Sequence, residues 1–389
     1  GHSEVADKLA VEIMDIIDDF NKNHFNKYCE GTGGHFLLHA QVGIASDVKV
    51  SPGTRIPIGE EPTNLLDHLK HCAKFHKYFP SGTGDIFPID LTVHKNHEYV
   101  LDIIKFRFDK GVLKESEHPF TTEFSNKDVR ITTHYYEDNL LSSIYSTIHE
   151  GGHALYEQHI GDEITDTVLG GGVSMGIHES QSRIFENMFG RSREFIGFIY
   201  PKMDELFNLS ENGIGKEELY KLANKVERQF IRTESDELTY PIHILIRYEL
   251  EKEIFSNLDE EIDVDALAVK WADKYEEYLG IRPATYSEGI LQDVHWAEGL
   301  FGYFPSYALG TAYAAQIYDA INKKVNIKEE MKKGDFSQIN EILKENIHKY
   351  GKMKTPKEII KDMTGKDFDS QYYIDYLEGK FSEIYGLDK

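Results

Sequence analysis

The sequence predicts a mainly α protein, a large helical fold with one small β-sheet. Three observations lead there. Beyond Asn139, apolar residues recur at spacings of three and four almost to the end of the chain, the period of helices that bury one face. One stretch just before this part, Asp128-Val129-Arg130-Ile131-Thr132-Thr133-His134-Tyr135, is dense in β-branched and aromatic residues and reads as a strand. With 389 residues, 40% hydrophobic and 28% charged, the chain has the composition and length of a globular protein with a sizeable core.

The elements follow in order. Val5 to Phe25 carries Val11, Ile13, Met14, Ile16, Ile17 and Phe20 at helical spacing and predicts a first helix. From Gly31 to Gly59 the texture changes to glycines and short β-prone runs, such as Val48-Lys49-Val50 and Arg55-Ile56-Pro57-Ile58, and reads as loop and strand. A helix is expected from Asn64 to His76. The strand at Asp128 comes next, then a helix from Leu141 whose stripe is Leu141, Tyr145, Ile148, Gly152 and Leu155. Further helices are expected at Glu217 to Phe230, Ile242 to Phe255, Val264 to Leu279 and Phe336 to Tyr350. No internal repeat or low-complexity linker divides the chain. We treat residues 1–90 as a divergent N-terminal region and 91–389 as one continuous helical region.

Charge and cysteine content narrow the function classes. A formal charge of −24 argues against nucleic acid and anionic membranes as partners, since both would repel the chain. No run of about 18 apolar residues is present to span a bilayer. Two cysteines, Cys29 and Cys72, allow at most one bridge and read as reduced thiols. The chain opens on Gly1-His2-Ser3, not on Met, and shows no basic-then-apolar leader. The expected location is cytoplasmic.

The motif that carries chemistry is His149-Glu150-Gly151-Gly152-His153. Histidines four apart on a helix share a face and can aim two imidazole nitrogens at one metal ion. Glu150 is angled toward water rather than toward the metal. Gly151 and Gly152 each cost the helix roughly 0.8–1 kcal/mol relative to Ala, which implies close approach of another segment. Two candidates compete as third ligand. His159 stands ten residues after His149, the metzincin spacing. That class needs a glycine where Tyr156 stands, and on a continuing helix His159 would lie about 15 Å along the axis from His149; we expect a surface residue near the helix end. Glu179 lies on a second helix that begins after Gly170-Gly171-Gly172 and stops near Gly190. It would complete a His₂Glu site with a fourth position left for water. Glu186, two turns on, is a candidate to orient a ligand histidine, and His178 is an alternative ligand placed behind Glu179.

With these residues in view, the chain resembles the thermostable carboxypeptidase Taq family of metallocarboxypeptidases. The resemblance rests on His149 to Gln158 and on His178-Glu179-Ser180-Gln181. It is strengthened by Asp128-Val129-Arg130-Ile131-Thr132, Ile231-Arg232-Thr233-Glu234-Ser235-Asp236, Gly289-Ile290-Leu291-Gln292-Asp293-Val294-His295-Trp296 and Gly302-Tyr303-Phe304-Pro305. It runs from about His118 to the C-terminus. Ser235 stands where the family usually has Ala, His134 where arginine is expected, and the first ninety residues do not follow the family's pattern. The resemblance implies a helical fold with a deep active-site groove, a homodimer, one zinc or cobalt ion per chain, and release of single C-terminal amino acids from peptides with broad specificity.

The expected chemistry divides among few groups. His149, His153 and Glu179 hold the metal, and Glu150 acts as general base and proton donor. By analogy with related helical metallopeptidases, His295 and Tyr303 stabilise the oxyanion, with Tyr307 as runner-up. An exopeptidase acting at the C-terminus also needs a cation for the terminal carboxylate, and arginine suits it best. Arg232 is the first choice and Arg130 the second. Arg183 and Arg247 are expected to pair with helical acids such as Glu179 or Glu249, while Asp128, Asp236 and Asp293 hold the arginines and His295 in place. An oligopeptidase or dipeptidase built on the same site is the alternative.

Overall fold

Helical periodicity over most of the chain is realised in twelve α-helices and one three-stranded sheet among the described residues. The computed structural model of the chain describes residues 89–116, 118–135, 139–256 and 263–387, with side chains from residue 97 onward. The expected helices at Val5 to Phe25 and Asn64 to His76, the Gly31 to Gly59 segment and both cysteines lie outside the described residues.

Helix α1 (Ile89–Ile104) leads into the sheet, whose strands are β1 (Gly111–Glu115), β2 (Thr121–Ser125) and β3 (Asp128–Thr133). Strand order is β1-β3-β2, with β1 parallel and β2 antiparallel to β3. The strand expected at Asp128 to Tyr135 is β3, ending two residues early. Val129, Ile131 and Thr133 are buried and Arg130 is exposed, the alternation of a sheet covered on one face, while Thr132 is buried as well toward the strand's end. That face packs on α2 (Leu140–Gln158).

Helix α2 is buried almost all round: Ile144, Ile148, Ala154, Leu155 and Tyr156 are at most 1% exposed. Each such large apolar side chain contributes about 1.5–3 kcal/mol. Its paired glycines are where neighbours come closest. A Cβ on Gly151 would stand 2.5 Å from Ile104 Cδ1 of α1; one on Gly152 would stand 2.7 Å from the Gln181 carbonyl oxygen. Gln181 belongs to α3 (Met175–Arg183), which Ser174 caps by accepting from the Ile177 amide and which runs on into a π-turn, Ile184–Gly190. Glycine 152 therefore brings α2 against α3, as its helix-weakening presence implied.

Outside this pair lie α4 (Arg193–Phe207), α5 (Lys216–Ala223), α6 (Tyr240–Ser256), α7 (Val264–Leu279) and α8 (Pro305–Asn322). They are followed by α9 (Ile327–Lys333), α10 (Ser337–Asn346), α11 (Pro356–Thr364) and α12 (Gln371–Tyr385). Helix α8 covers the other side of α3, where Gly310 sits so close to Glu179 that a Cβ there would be 2.5 Å from the glutamate's own Cβ. Two expected helices end early. The one at Glu217 stops at Ala223 because Asn224 Nδ2 donates to the Tyr220 and Arg191 carbonyls and closes the helix end. The one at Phe336 stops at Asn346, and a 3₁₀ segment, His348–Met353, follows with Gly351 at φ +49°.

Candidate metal centre

His149 and His153, one turn apart on α2, face Glu179 on α3. His149 Nε2 lies 3.6 Å and His153 Nε2 3.5 Å from Glu179 Oε2. The donor atoms of these three residues all fall within 4.8 Å of one another, and the 3.5 and 3.6 Å separations from Glu179 Oε2 are those of neighbouring ligands about 2.0–2.2 Å from one tetrahedral ion. The structure thus brings together the three residues expected as ligands.

The other nitrogen of each imidazole is engaged. His149 Nδ1 is 2.8 Å from Glu186 Oε2, so the π-turn supplies the expected orienting carboxylate. His153 Nδ1 lies 2.7 Å from His178 Nδ1, and His178 Nε2 lies 2.7 Å from Glu157 Oε1. With both nitrogens engaged by these partners, His178 stands beside the three-donor cluster and not in it. His159 is not the surface residue expected. Helix α2 stops at Gln158, and His159 caps it, its Nδ1 hydrogen-bonded at 3.0 Å to His348 Nδ1 and its pKa pushed down to about 4, mainly by burial.

Electrostatics fit a cation at this point. Burial alone would raise the Glu179 carboxyl, but the Arg183 guanidinium and the two imidazoles hold it well below the ordinary carboxylate range. Glu186 is held down in the same way against its burial, by Arg183, His149 and Arg191. Burial pushes His153 down to about 3, leaving a lone pair free for a metal. His149 moves up: burial opposes its protonation, but Glu179 and Glu186 overcome that. The pocket therefore draws positive charge to the shared point, and its two nitrogens and one carboxylate suit zinc or cobalt. Arg183 pairs with Glu179 through Nε at 2.6 Å, as expected, and stacks over Tyr240.

Glu150 is buried beside these ligands. Thr121 of β2 donates its hydroxyl to Glu150 Oε2 at 2.5 Å. Burial raises the Glu150 carboxyl, while His149 and the Thr121 hydroxyl pull it back. Thr121 had no signal in the sequence, because its role depends on the edge strand meeting α2. Glu157 did have one: it follows His153 by one helical turn.

His295, Tyr303 and Tyr307 form a second cluster. His295 Nε2 is 2.9 Å from the Tyr307 hydroxyl, and Tyr303 hydrogen-bonds Tyr307. Burial lowers His295 to about 4, which leaves it neutral at ordinary pH. Burial and then the Glu179 carboxylate raise Tyr303, so its hydroxyl keeps its proton.

The arginines are placed less simply. Arg232 is 6% exposed; its Nε and Nη2 donate to Asp293 Oδ1 at 3.0 and 2.7 Å, and its Nη1 donates to the Tyr240 hydroxyl at 2.9 Å. Arg247 pairs not with Glu249 but with the other oxygen of Asp293, at 2.6 Å. Arg130 pairs with Asp128 and lies over Phe124, on the sheet face turned away from α2, because its neighbours Val129 and Ile131 are the buried ones. That face is not the one that meets the helix of His149 and His153. Asp236 holds no arginine; it accepts from the Glu227, Leu238 and Thr239 amides.

A family model described as Carboxypeptidase Taq (M32) metallopeptidase matches residues 83–381. A second, described as Glycyl radical enzyme YjjI-like, matches residues 1–139 and takes in the segment the first leaves unmatched. Carboxypeptidase 1 of Bacillus subtilis is 47% identical over 290 residues, 74% of this chain and 57% of that protein. Thermostable carboxypeptidase 1 of Pyrococcus furiosus is 46% identical over 281 residues, 71% of this chain and 56% of that one. The crystal structure of the M32 carboxypeptidase from Deinococcus radiodurans R1 superposes with a TM-score of 0.73 at 34% identity, covering 84% of this chain and 68% of that chain. The chain thus spans little more than half the length of these curated relatives. Over residues 83–381, the chain belongs to the carboxypeptidase Taq (M32) family of metallopeptidases.

Proposed function

We propose that the chain is a zinc-dependent metallocarboxypeptidase that removes single amino acids from the C-terminus of peptides, with broad specificity. The observation that carries this reading is the three-donor cluster His149, His153 and Glu179 with buried Glu150 beside it. His149, His153 and Glu179 would hold a divalent cation, one per chain, which would supply Lewis acidity to a carbonyl and to water near neutral pH. Glu150, aimed by Thr121, takes the attacking water's proton and delivers it to the leaving amine. Tyr303 and His295 stabilise the developing oxyanion, each donor worth about 3 kcal/mol. Tyr307 supports them by hydrogen-bonding His295. Arg232 is the proposed anchor for the substrate's terminal carboxylate. Asp293 fixes its Nε edge, so the Nη1 side, next to Tyr240, is the one to meet substrate.

Cobalt is the alternative metal, since it suits the same ligands. The proposed assembly is a homodimer and the proposed location cytoplasmic. Residues 1–90 are proposed as a region distinct from the catalytic region 91–389; one family match begins at residue 83, and the other runs from 1 to 139, across that boundary.

The engagement of Arg232 by Asp293 and Tyr240 favours a second reading, an oligopeptidase or dipeptidase with no cation dedicated to the C-terminus. Mass spectrometry of a peptide ladder, with and without chelator, tests both. The carboxypeptidase produces successive losses of one C-terminal residue, abolished by chelator and by C-terminal amidation. Internal products, or amides cut as fast as free acids, favour the second reading. Glu150→Ala is expected to keep the metal and lose hydrolysis; full activity in that variant would overturn the mechanism.

A further inference from the structure

The two ligand histidines are oriented differently. His149 meets a carboxylate directly, at Glu186. His153 meets another imidazole, and the carboxylate, Glu157, stands one ring further out. This second arrangement is built into the fold. Glu157 is 2% exposed, and its Oε1 accepts both from His178 Nε2 and from the Gly172 amide at 2.8 Å. His178 is wedged against Gly172, where a Cβ would come within 2.6 Å of the ring, and against the ring of Tyr156 at 5.0 Å between centroids. Gly172 and Tyr156 thus leave His178 little room to turn.

For a neutral His178 the hydrogen-bond directions follow from the chemistry of imidazole. Glu157 as a carboxylate only accepts, so His178 donates from Nε2 and presents a lone pair at Nδ1. His153 must then donate from Nδ1, which leaves its Nε2 as the bare nitrogen facing Glu179 Oε2 at 3.5 Å. The opposite direction would put the proton on His153 Nε2 and remove a ligand.

We infer that His178 and Glu157 are positioning residues, a relay that fixes His153 in its ligating tautomer and passes the carboxylate's negative charge to it through one imidazole. The relay sets the affinity of the metal site, although neither residue touches the metal or substrate. It rests on the reading of His149, His153 and Glu179 as a metal site. Partners of this kind tune metal affinity because they orient the ligand ring and raise its basicity.

The experiment compares zinc affinity of the full chain and its variants, by competition with a chromophoric chelator, and the visible spectrum after cobalt reconstitution. Glu157→Gln keeps the shape and the hydrogen bonds but removes the charge. It is expected to weaken zinc binding by roughly 10- to 100-fold and to alter the cobalt spectrum. His178→Phe, which breaks the relay, is expected to do the same. His178→Gln, whose oxygen can accept from His153 while its amide donates to Glu157, is expected to restore most of the affinity. Where His178→Phe does not fold, ¹⁵N spectra of histidine-labelled wild-type protein decide. They are expected to show a protonated Nδ1 on His153 and a protonated Nε2 on His178. Wild-type affinity in Glu157→Gln, or a protonated His178 Nδ1, would overturn the relay while leaving the metal site standing. Failure of the wild type to bind zinc or cobalt would overturn both.

Discussion

Gly152 and Gly151 are adjacent on the metal helix, yet alanine at the two positions should have opposite consequences. At Gly152 the new Cβ would stand 2.7 Å from the Gln181 carbonyl oxygen and 2.8 Å from Ser182 Cα. Both are backbone atoms of α3, where carbon and oxygen ordinarily approach to about 3.3–3.6 Å. Relief requires the two helices to part by roughly 0.5 Å or more. The three donors sit on these two helices, and metal sites tolerate about ±0.2 Å in ligand distance. Alanine gains about 1 kcal/mol of helix propensity, while overpacking costs about 1–3 kcal/mol. Gly152→Ala should therefore leave apo stability nearly unchanged or lowered by up to about 2 kcal/mol. Its metal affinity should fall far more than its stability. At Gly151 the Cβ would meet Ile104 Cδ1 at 2.5 Å and Leu101 Cδ2 at 2.9 Å, the far ends of side chains that can change rotamer. Gly151→Ala should bind metal as the wild type does. Denaturant unfolding of both apo proteins, followed by zinc titration, measures the two quantities separately. Equal zinc affinity in Gly152→Ala and wild type would refute the claim that the contact between α2 and α3 sets ligand geometry.

Three further outcomes follow from the same contacts. Thr121→Val removes a hydrogen bond that favours ionised Glu150, so the carboxyl rises further and the acid limb of kcat/KM moves to higher pH, by about one unit for a charge-assisted bond of ~1.5 kcal/mol. An acid limb that stays or moves down would contradict it. Asp293→Asn leaves the buried guanidiniums of Arg232 and Arg247 short of counter-charge and should cost about 3–5 kcal/mol in denaturant unfolding. In the wild type, Asp293 is held at about 2 by these arginines against its burial, below its unfolded value. Its contribution is therefore complete above the ordinary aspartate range and lost as pH falls through about 2, visible as an acid limb of stability that the variant lacks. Chelation of the zinc-loaded protein should lower its unfolding free energy by about 2.7 kcal/mol when free metal had been at 100 times its dissociation constant; unfolding insensitive to chelator would count against a metal site.

The metal half of the site was legible because its geometry is helical and local. His149 and His153 share a face by the 3.6-residue period alone, and the glycines between them signalled a neighbour pressed close, found to be α3 at Gln181. Glu179 followed from a second helix with a glycine-rich turn before it, and Glu186 from its position on the same run, although the π-turn that carries Glu186 left no mark in the apolar pattern. Early helix ends at Ala223 and Asn346 were not legible, since side-chain capping by Asn224 and the packing of Gly351 beside Leu169 depend on tertiary neighbours.

The residues proposed to bind substrate were legible only as residue types. That Arg232 and Arg247 share Asp293 is a matter of three segments meeting in space, and no spacing encodes it. Arg130 is placed by a different rule: successive residues of a strand point to opposite faces, so Arg130 lies on the face opposite Val129 and Ile131 once the buried face is known to be the one on α2. The consequence bears on how substrate is held. A guanidinium pinned along its Nε edge by one carboxylate cannot swing to follow a ligand, so Arg232 can serve a terminal carboxylate only from a fixed position. That rigidity suits an exopeptidase, which measures one residue from a chain end to the metal, because a mobile cation would accept chain ends at several distances. Loosening Arg232 by Asp293→Asn should therefore blur the product ladder as well as lower stability, whereas an enzyme indifferent to the chain end would lose stability and keep its products.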